Sequence, residues 1–208
     1  MRDEPQNSTG LPALVVALRD GAPVRIRLVR PDDRARLLRG VREMSRTSRY
    51  MRFFATTREM SDDQARYFTE IDQINHVAVC AGEPTDTEDR GYGIARFVRD
   101  ANNPYIAEFA VAVIDEMQGR GLGTVLIAGL YLLAQARGIR ELRGDVLAEN
   151  PIIGRWLLRL SAKLQATHDS ACQMILWPVL PAGVTPPVHG AAKNFIHWLE
   201  RLRSTFGH

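Results

Sequence analysis

Gln118-Gly119-Arg120-Gly121-Leu122-Gly123 stands directly between a strand-like apolar run, Ile106 to Ile114, and a helix-like one, Thr124 to Ala136. A strand that stops at a glycine-rich turn and restarts as a helix gathers unpaired backbone N–H groups at the positive end of the helix dipole. The turn therefore predicts a strand–loop–helix unit with a phosphate at its centre. Glycine at 119, 121 and 123 removes side chains that would block close approach, and Arg120 adds a cation within reach of a phosphate oxygen. The spacing argues against two nucleotide motifs: the glycines alternate as G-x-G-x-G rather than G-x-G-x-x-G, and no Gly-Lys-Ser/Thr follows.

Around this unit the chain alternates between the two hydrophobic periods. Val24, Ile26 and Leu28 share one face of a half-buried strand over Val24–Val29, with Arg25 and Arg27 on the other. Pro31-Asp32-Asp33 opens a helix with Leu37, Leu38, Val41 and Met44 at helical spacing, and Ser61 is a plausible N-cap for a second helix through Phe68. Strands follow at His76–Ala81 and Gly93–Arg99, separated by an acidic connection, Glu83 to Arg90. Asn102-Asn103-Pro104 turns the chain into Ile106–Ile114. After the loop and its helix come a strand, Glu141–Leu147, a helix, Asn150–Leu164, and a last strand, Ala171–Trp177. The succession implies a mixed sheet in which two parallel strands are linked by the phosphate-binding helix.

Residues 1–22 read as an extension whose apolar patch, Leu11 to Leu18, is a short helix or strand at the edge of a domain spanning 23–178. Residues 179–208 read as a Pro/Gly-rich linker, Pro178 to Gly190, and an amphipathic helix, Ala191 to Phe206, that packs on its own domain or on a second subunit. Monomer and homodimer both stay open.

With 208 residues, 45% of them hydrophobic, the chain suits one packed core with tails. The longest apolar stretch, Gly123 to Ala136, is too short to span a bilayer. The N-terminus carries Arg2, Asp3 and Glu4 in place of an apolar leader, so a cytoplasmic protein is expected, with no membrane partner. Cys80 and Cys172 form neither a disulfide framework nor a metal set with the five scattered histidines, and no metal is expected. A net charge of +3 spread along the chain gives no argument for nucleic acid. Lys163 and Lys193 are the only lysines among 27 basic residues, an arginine bias that a GC-rich genome explains without any selection against self-acetylation.

Q-x-x-G-x-G after a strand resembles the acetyl-CoA pyrophosphate loop of the GCN5-related N-acetyltransferases, the GNAT family. The resemblance covers about Val24 to Trp177 and implies an α/β fold: a central mixed sheet with a splayed pair of parallel strands, flanked by helices. It implies acetyl-CoA as donor, held by Gln118, Gly119, Arg120, Gly121, Leu122, Gly123 and Thr124 around the pyrophosphate. Val111, Ala112 and Val113 of the central strand would hold the pantetheine arm, the first and third by backbone hydrogen bonds. Asn150 matches an asparagine that members place near the cofactor, or is simply a helix N-cap. Glu108 would take the proton from the ammonium form of an acceptor amine; a carboxylate in an apolar strand gains basicity from burial. The N–H of Val111 would stabilise the oxyanion. Many members protonate the departing thiolate with a tyrosine seven residues after the asparagine. Leu157 stands there, beside Trp156, so the acid is unassigned. Ser45 to Phe54 and Ala107 to Gly123 resemble the catalytic domain of bacterial Pat-type protein lysine acetyltransferases. In that likeness Ser45–Phe54 walls the acceptor site; otherwise Tyr50, Phe53 and Phe54 are core aromatics. The expected acceptor is a protein lysine, with a small-molecule amine and a non-catalytic CoA-binding module as alternatives.

Overall fold

The computed structural model describes residues 13–53, 60–85, 90–168, 171–187 and 193–206. Its strands are β1 (Leu14–Ala17), β2 (Pro23–Leu28), β3 (His76–Gly82), β4 (Gly91–Arg99), β5 (Ile106–Val113), β6 (Glu141–Leu147), β7 (Lys163–Ala166) and β8 (Cys172–Pro178). They form one sheet in the order β1-β2-β3-β4-β5-β6-β8-β7. Every neighbouring pair is antiparallel except β5 and β6, which run parallel. Helices α1 (Arg34–Glu43), α2 (Arg46–Phe53), α3 (Asp62–Thr69), α4 (Leu122–Ala136), α5 (Pro151–Leu158) and α6 (Lys193–Phe206) complete the fold. The parallel pair requires a crossover, and α4 supplies it.

Strand alternation separates two unlike faces. Val24, Ile26, Val77, Val79, Ala95, Phe97, Ala107 and Phe109 turn towards α4 and are buried against Leu122, Leu126, Leu130 and Tyr131. Helix α4 is apolar nearly all round because α6 covers its outer side with Phe195, Leu199 and Leu202. Tyr131, Trp177 and Phe195 form an aromatic cluster with ring centroids 4.9 to 5.7 Å apart. The final helix thus packs on its own domain. Trp177 is fully buried, and its indole N–H donates to the Leu160 carbonyl at 2.8 Å.

Of the two forms expected for the Leu11–Leu18 patch, helix or strand, it takes the strand, as edge strand β1 where it is described. Two expectations change. The helix expected over Asn150–Leu164 ends at Leu158. There Leu160 N and Ser161 N close short turns onto Leu157 and Leu158, and Ser161 adopts φ 65°. The chain is then free to return as β7, with Leu164 beside Ile175. A leucine-rich run at helical spacing conceals that reversal. Arg27, expected on the polar side of its strand, is buried beneath the first helical turn. Phe54, residues 86–89 of the acidic connection and the first residues of the expected final helix lie outside the described residues. Among the described residues no helix is long and apolar enough to cross a membrane.

Truncating Phe195 to Ala should lower unfolding free energy by about 3 to 5 kcal/mol, the range for a fully buried phenylalanine. Urea denaturation reads it directly; a loss under about 1 kcal/mol would remove α6 from the core.

Candidate active site

Register pairing between β5 and β6 stops after three pairs: Ile106↔Glu141, Ala107↔Leu142 and Glu108↔Arg143. Beyond them β5 continues with β4 alone as far as Val113, while β6 continues with β8 as far as Leu147. The two strands open into a fork. At its vertex an added Cβ on Gly144 would stand 3.0 Å from the Phe109 carbonyl oxygen and 3.1 Å from its ring, so glycine relieves a tight contact there. Ile114 N donates to Tyr92 O at 3.0 Å, on the β4 side. Alternation then turns the N–H and C=O groups of Val111 and Val113 into the fork and those of Ala112 away from it.

The glycine loop closes the open end. A 3-10 turn, Asp115–Met117, leads into Gln118, and Gly119 and Gly121 follow at φ +71° and +97°, a region that penalises any side chain. Helix α4 starts at Leu122, so the first-turn N–H groups of Leu122, Gly123 and Thr124 gather here. Thr124 N is drawn back onto Gly121 O at 3.1 Å. The cation beside this turn is one that the sequence did not single out. Arg19, from the β1–β2 turn, lies 3.4 Å from the place a Cβ on Gly121 would take, whereas Arg120 is paired with Asp20 and Met117. Arg19 is about a hundred positions away in sequence, and no local pattern marks it.

Helix α2 hangs from the same loop. Asp115 accepts from Ser45 N at 2.8 Å, Ser45 Oγ at 2.7 Å and Ser48 Oγ at 2.8 Å. Partial burial works to raise the Asp115 pKa, and these three bonds outweigh it, holding the carboxyl below its ordinary range. Gln118 Nε2 spans from Ser48 Oγ to the Val113 carbonyl, 3.1 Å to each. Its side chain therefore braces the loop from below.

Glu108 sits at the last paired position of the fork, on the face away from α4. It is exposed rather than buried as the apolar run suggested: its strand is covered on the α4 face only at that position. Asn150 heads α5 at the end of the other branch without a side-chain cap, its N–H bonded to Leu147 O at 2.8 Å. Leu157 is buried in the core, and Tyr50 on α2 is half-buried.

That second sheet face, under α1, α2 and α3, encloses a cavity with arginines in its wall: Arg25 and Arg27 of β2, Arg36 of α1, Arg52 of α2 and Arg96 of β4. Arg27 grips Asp33 with two bonds of 2.6 Å, and Arg36 adds a third at 2.9 Å. Burial alone would raise the Asp33 pKa. The bonds from Arg27, the Arg30 N–H and Arg36 prevail and hold it below 3.8. Burial pushes the Cys80 thiol up to about 12 in the same group, so it stays protonated. His76 is lowered to about 4 by burial and then by Arg96, and is neutral at pH 7. Among the described residues no cluster of three or more His, Cys, Asp or Glu could hold a metal ion.

No family model matches the chain. The acetyltransferase Pat of Mycolicibacterium smegmatis is 32% identical over 151 residues, covering 71% of this chain and 43% of its own length. This chain thus spans less than half of that relative. Acetyltransferase PA5475 of Pseudomonas aeruginosa is 30% identical over 161 residues, covering 77% of this chain and 86% of itself. The GNAT domain of S. lividans PAT superposes with a TM-score of 0.73 at 26% identity, over 80% of this chain and 96% of that one. A phosphinothricin acetyltransferase of the GNAT superfamily from Sinorhizobium meliloti, solved with acetyl-CoA, has a TM-score of 0.61 at 18% identity, over 78% of this chain and 92% of that one, a likeness of fold alone.

Asp33→Asn should leave Arg27 buried without its anion and cost about 3 kcal/mol at pH 7. A depressed carboxyl pKa gives stability that is present above the unfolded value of 3.8 and lost as pH falls through the folded one. The gap between wild type and variant in denaturation midpoints should accordingly close below about pH 4. A gap independent of pH would contradict the assignment.

Proposed function

Because this chain belongs to the GNAT acetyltransferases, we propose that it transfers an acetyl group from acetyl-CoA directly to a primary amine, with a protein lysine as the acceptor. The observation that carries the reading is the fork between β5 and β6 opening beneath a glycine loop at a helix N-terminus. A pyrophosphate suits the N–H groups from Gly119 to Gly123 together with Arg19, those of Gln118 and Thr124 being bonded to the Asp115 and Gly121 carbonyls. An extended amide chain suits the backbone of Val111 and Val113, which lacks a strand partner on that side, and would take the Val113 carbonyl over from Gln118. Ala112 shapes the far wall with a small side chain, and Asn150 stands at the end of the opposite branch. The pyrophosphate and the pantetheine arm thus each meet a complementary surface.

Bound acetyl-CoA supplies a thioester acetyl group to be attacked. Only a neutral amine carries the attacking lone pair, and Glu108 is the carboxylate on this strand that can accept the ammonium proton, directly or through water. The Val111 N–H, aimed into the fork, is oriented to stabilise negative charge developing on the carbonyl oxygen. With Leu157 buried, no side chain is assigned to protonate the thiolate; a thiol of ordinary pKa, about 8.5, leaves without one. The lysine acceptor rests on the likeness to Pat. A small-molecule amine is the second reading, favoured by the cavity beside Ala112.

Release of CoA in the presence of lysine peptides, small amines or a cell extract tests the reaction, and tight CoA binding with no transfer to any of them would favour a non-catalytic module. Glu108→Gln should lower kcat/KM by about 100-fold near neutral pH; turnover unchanged from about pH 6 to 9 would exclude Glu108 as the base. Gly121→Val should abolish protection by CoA against thermal unfolding, since valine cannot follow φ +97°. Retained protection would remove the loop from the donor site.

A further inference from the structure

A second cleft opens beside the glycine loop, on the side away from the fork. The sheet order puts the β1–β2 turn across the loop from β6, and α6 packs on α4. Arg19 of the turn, Gly121 and Thr124 of the loop region, and Asn194, His197 and Trp198 of α6 therefore meet around one opening. Each wall is held in place. Arg19 N donates to the Arg120 carbonyl at 3.2 Å, and Asp20 pairs with the Arg120 side chain, which clamps the turn to the loop. Phe195, Leu199 and Leu202 anchor α6 in the core, and the i, i+3, i+4 spacing of Asn194, His197 and Trp198 sets all three on the side that lines the cleft. Buried Trp198 stands behind the exposed His197 ring, with centroids 5.4 Å apart. The fold itself makes no use of the polar groups here: among the described residues, the side chains of Arg19, Asn194 and His197 form no hydrogen bond or ion pair.

With its amide arm in the fork and its diphosphate on the loop, acetyl-CoA has a third part to place beyond the loop, the adenosine with its 3′-phosphate. We infer that this cleft holds it, with Arg19 on the 3′-phosphate and the adenine stacked on the His197 ring beside the Asn194 amide. The inference rests on the acetyl-CoA reading above and extends its donor site to α6, which lies outside the span of the loop motif. A guanidinium without a counter-ion matches a phosphate in two bonds, and an exposed aromatic ring with a rigid backing matches the face of a base. Arg120, engaged by Asp20 and Met117, serves as the clamp.

Calorimetric titration of adenosine 3′,5′-bisphosphate and of adenosine 5′-monophosphate into the full chain decides it. The bisphosphate should bind at least about tenfold more tightly, the effect of one charge-assisted hydrogen bond. Arg19→Met should bring that ratio close to one, and Arg19→Lys should recover part of it. His197→Ala should weaken both nucleotides by about fivefold or more, and His197→Phe, which keeps a ring to stack on, should restore them. Equal affinities for the two nucleotides would overturn the proposal. So would a ratio that Arg19→Met leaves unchanged while both ligands weaken, because the arginine would then serve the diphosphate alone. Either result leaves acetyl transfer standing. Arg19-dependent binding of the bisphosphate with no amine acetylated in turnover assays would instead remove the transfer reading and leave the nucleotide cleft.

Discussion

Every candidate functional group in this fold takes its position from the parting of β5 and β6 after three residue pairs. A parallel pair that separates inside a sheet leaves backbone donors and acceptors without partners, at about 1 to 3 kcal/mol for each one that is buried and unsatisfied. Two features make the fork tenable. Each arm belongs to a continuous antiparallel ladder on its outer side, β5 with β4 and β6 with β8. At the vertex, Gly144 lets the Phe109 carbonyl approach without the tight contact of 3.0 Å that a Cβ there would make. The opening is a rigid slot lined with main-chain polar groups, which is what an extended ligand with its own amides requires.

The two faces of the sheet divide the remaining work. On the α4 side an aromatic and aliphatic core, covered by α6, fixes the helix whose N-terminus follows the glycine loop. On the other side the strands carry arginines, and the covering helices are held by ion pairs and by the Ser45–Ser48–Asp115 clasp. Because the clasp joins α2 to the turn that leads into the loop, and Gln118 bridges the same helix to Val113, the glycine loop and α2 are mechanically one unit.

The loop, the strand before it and the crossover helix were legible in sequence because each is local: glycine spacing, an apolar run and a helical period lie within about thirty residues of one another. What the sequence concealed is non-local. Arg19 reaches Gly121 from a hairpin at the other end of the chain, and Asp20 removes Arg120 from the phosphate side. An alternating strand shows that Arg25 and Arg27 share a face without showing that α1 covers it. Glu108 lies in an apolar run, yet apolar neighbours in sequence point to the opposite face, and its own carboxyl remains exposed. The reversal at Ser161 that turns the end of an expected helix into β7 depends on Trp177 binding the Leu160 carbonyl, a contact seventeen residues away.

Amide hydrogen exchange at Val111 and Val113, with and without CoA, tests the fork most directly. Both N–H groups should exchange quickly in the free protein and become strongly protected when CoA is bound, while Ala112, already bonded to β4, should change little. CoA binding that leaves Val111 and Val113 unprotected would contradict it.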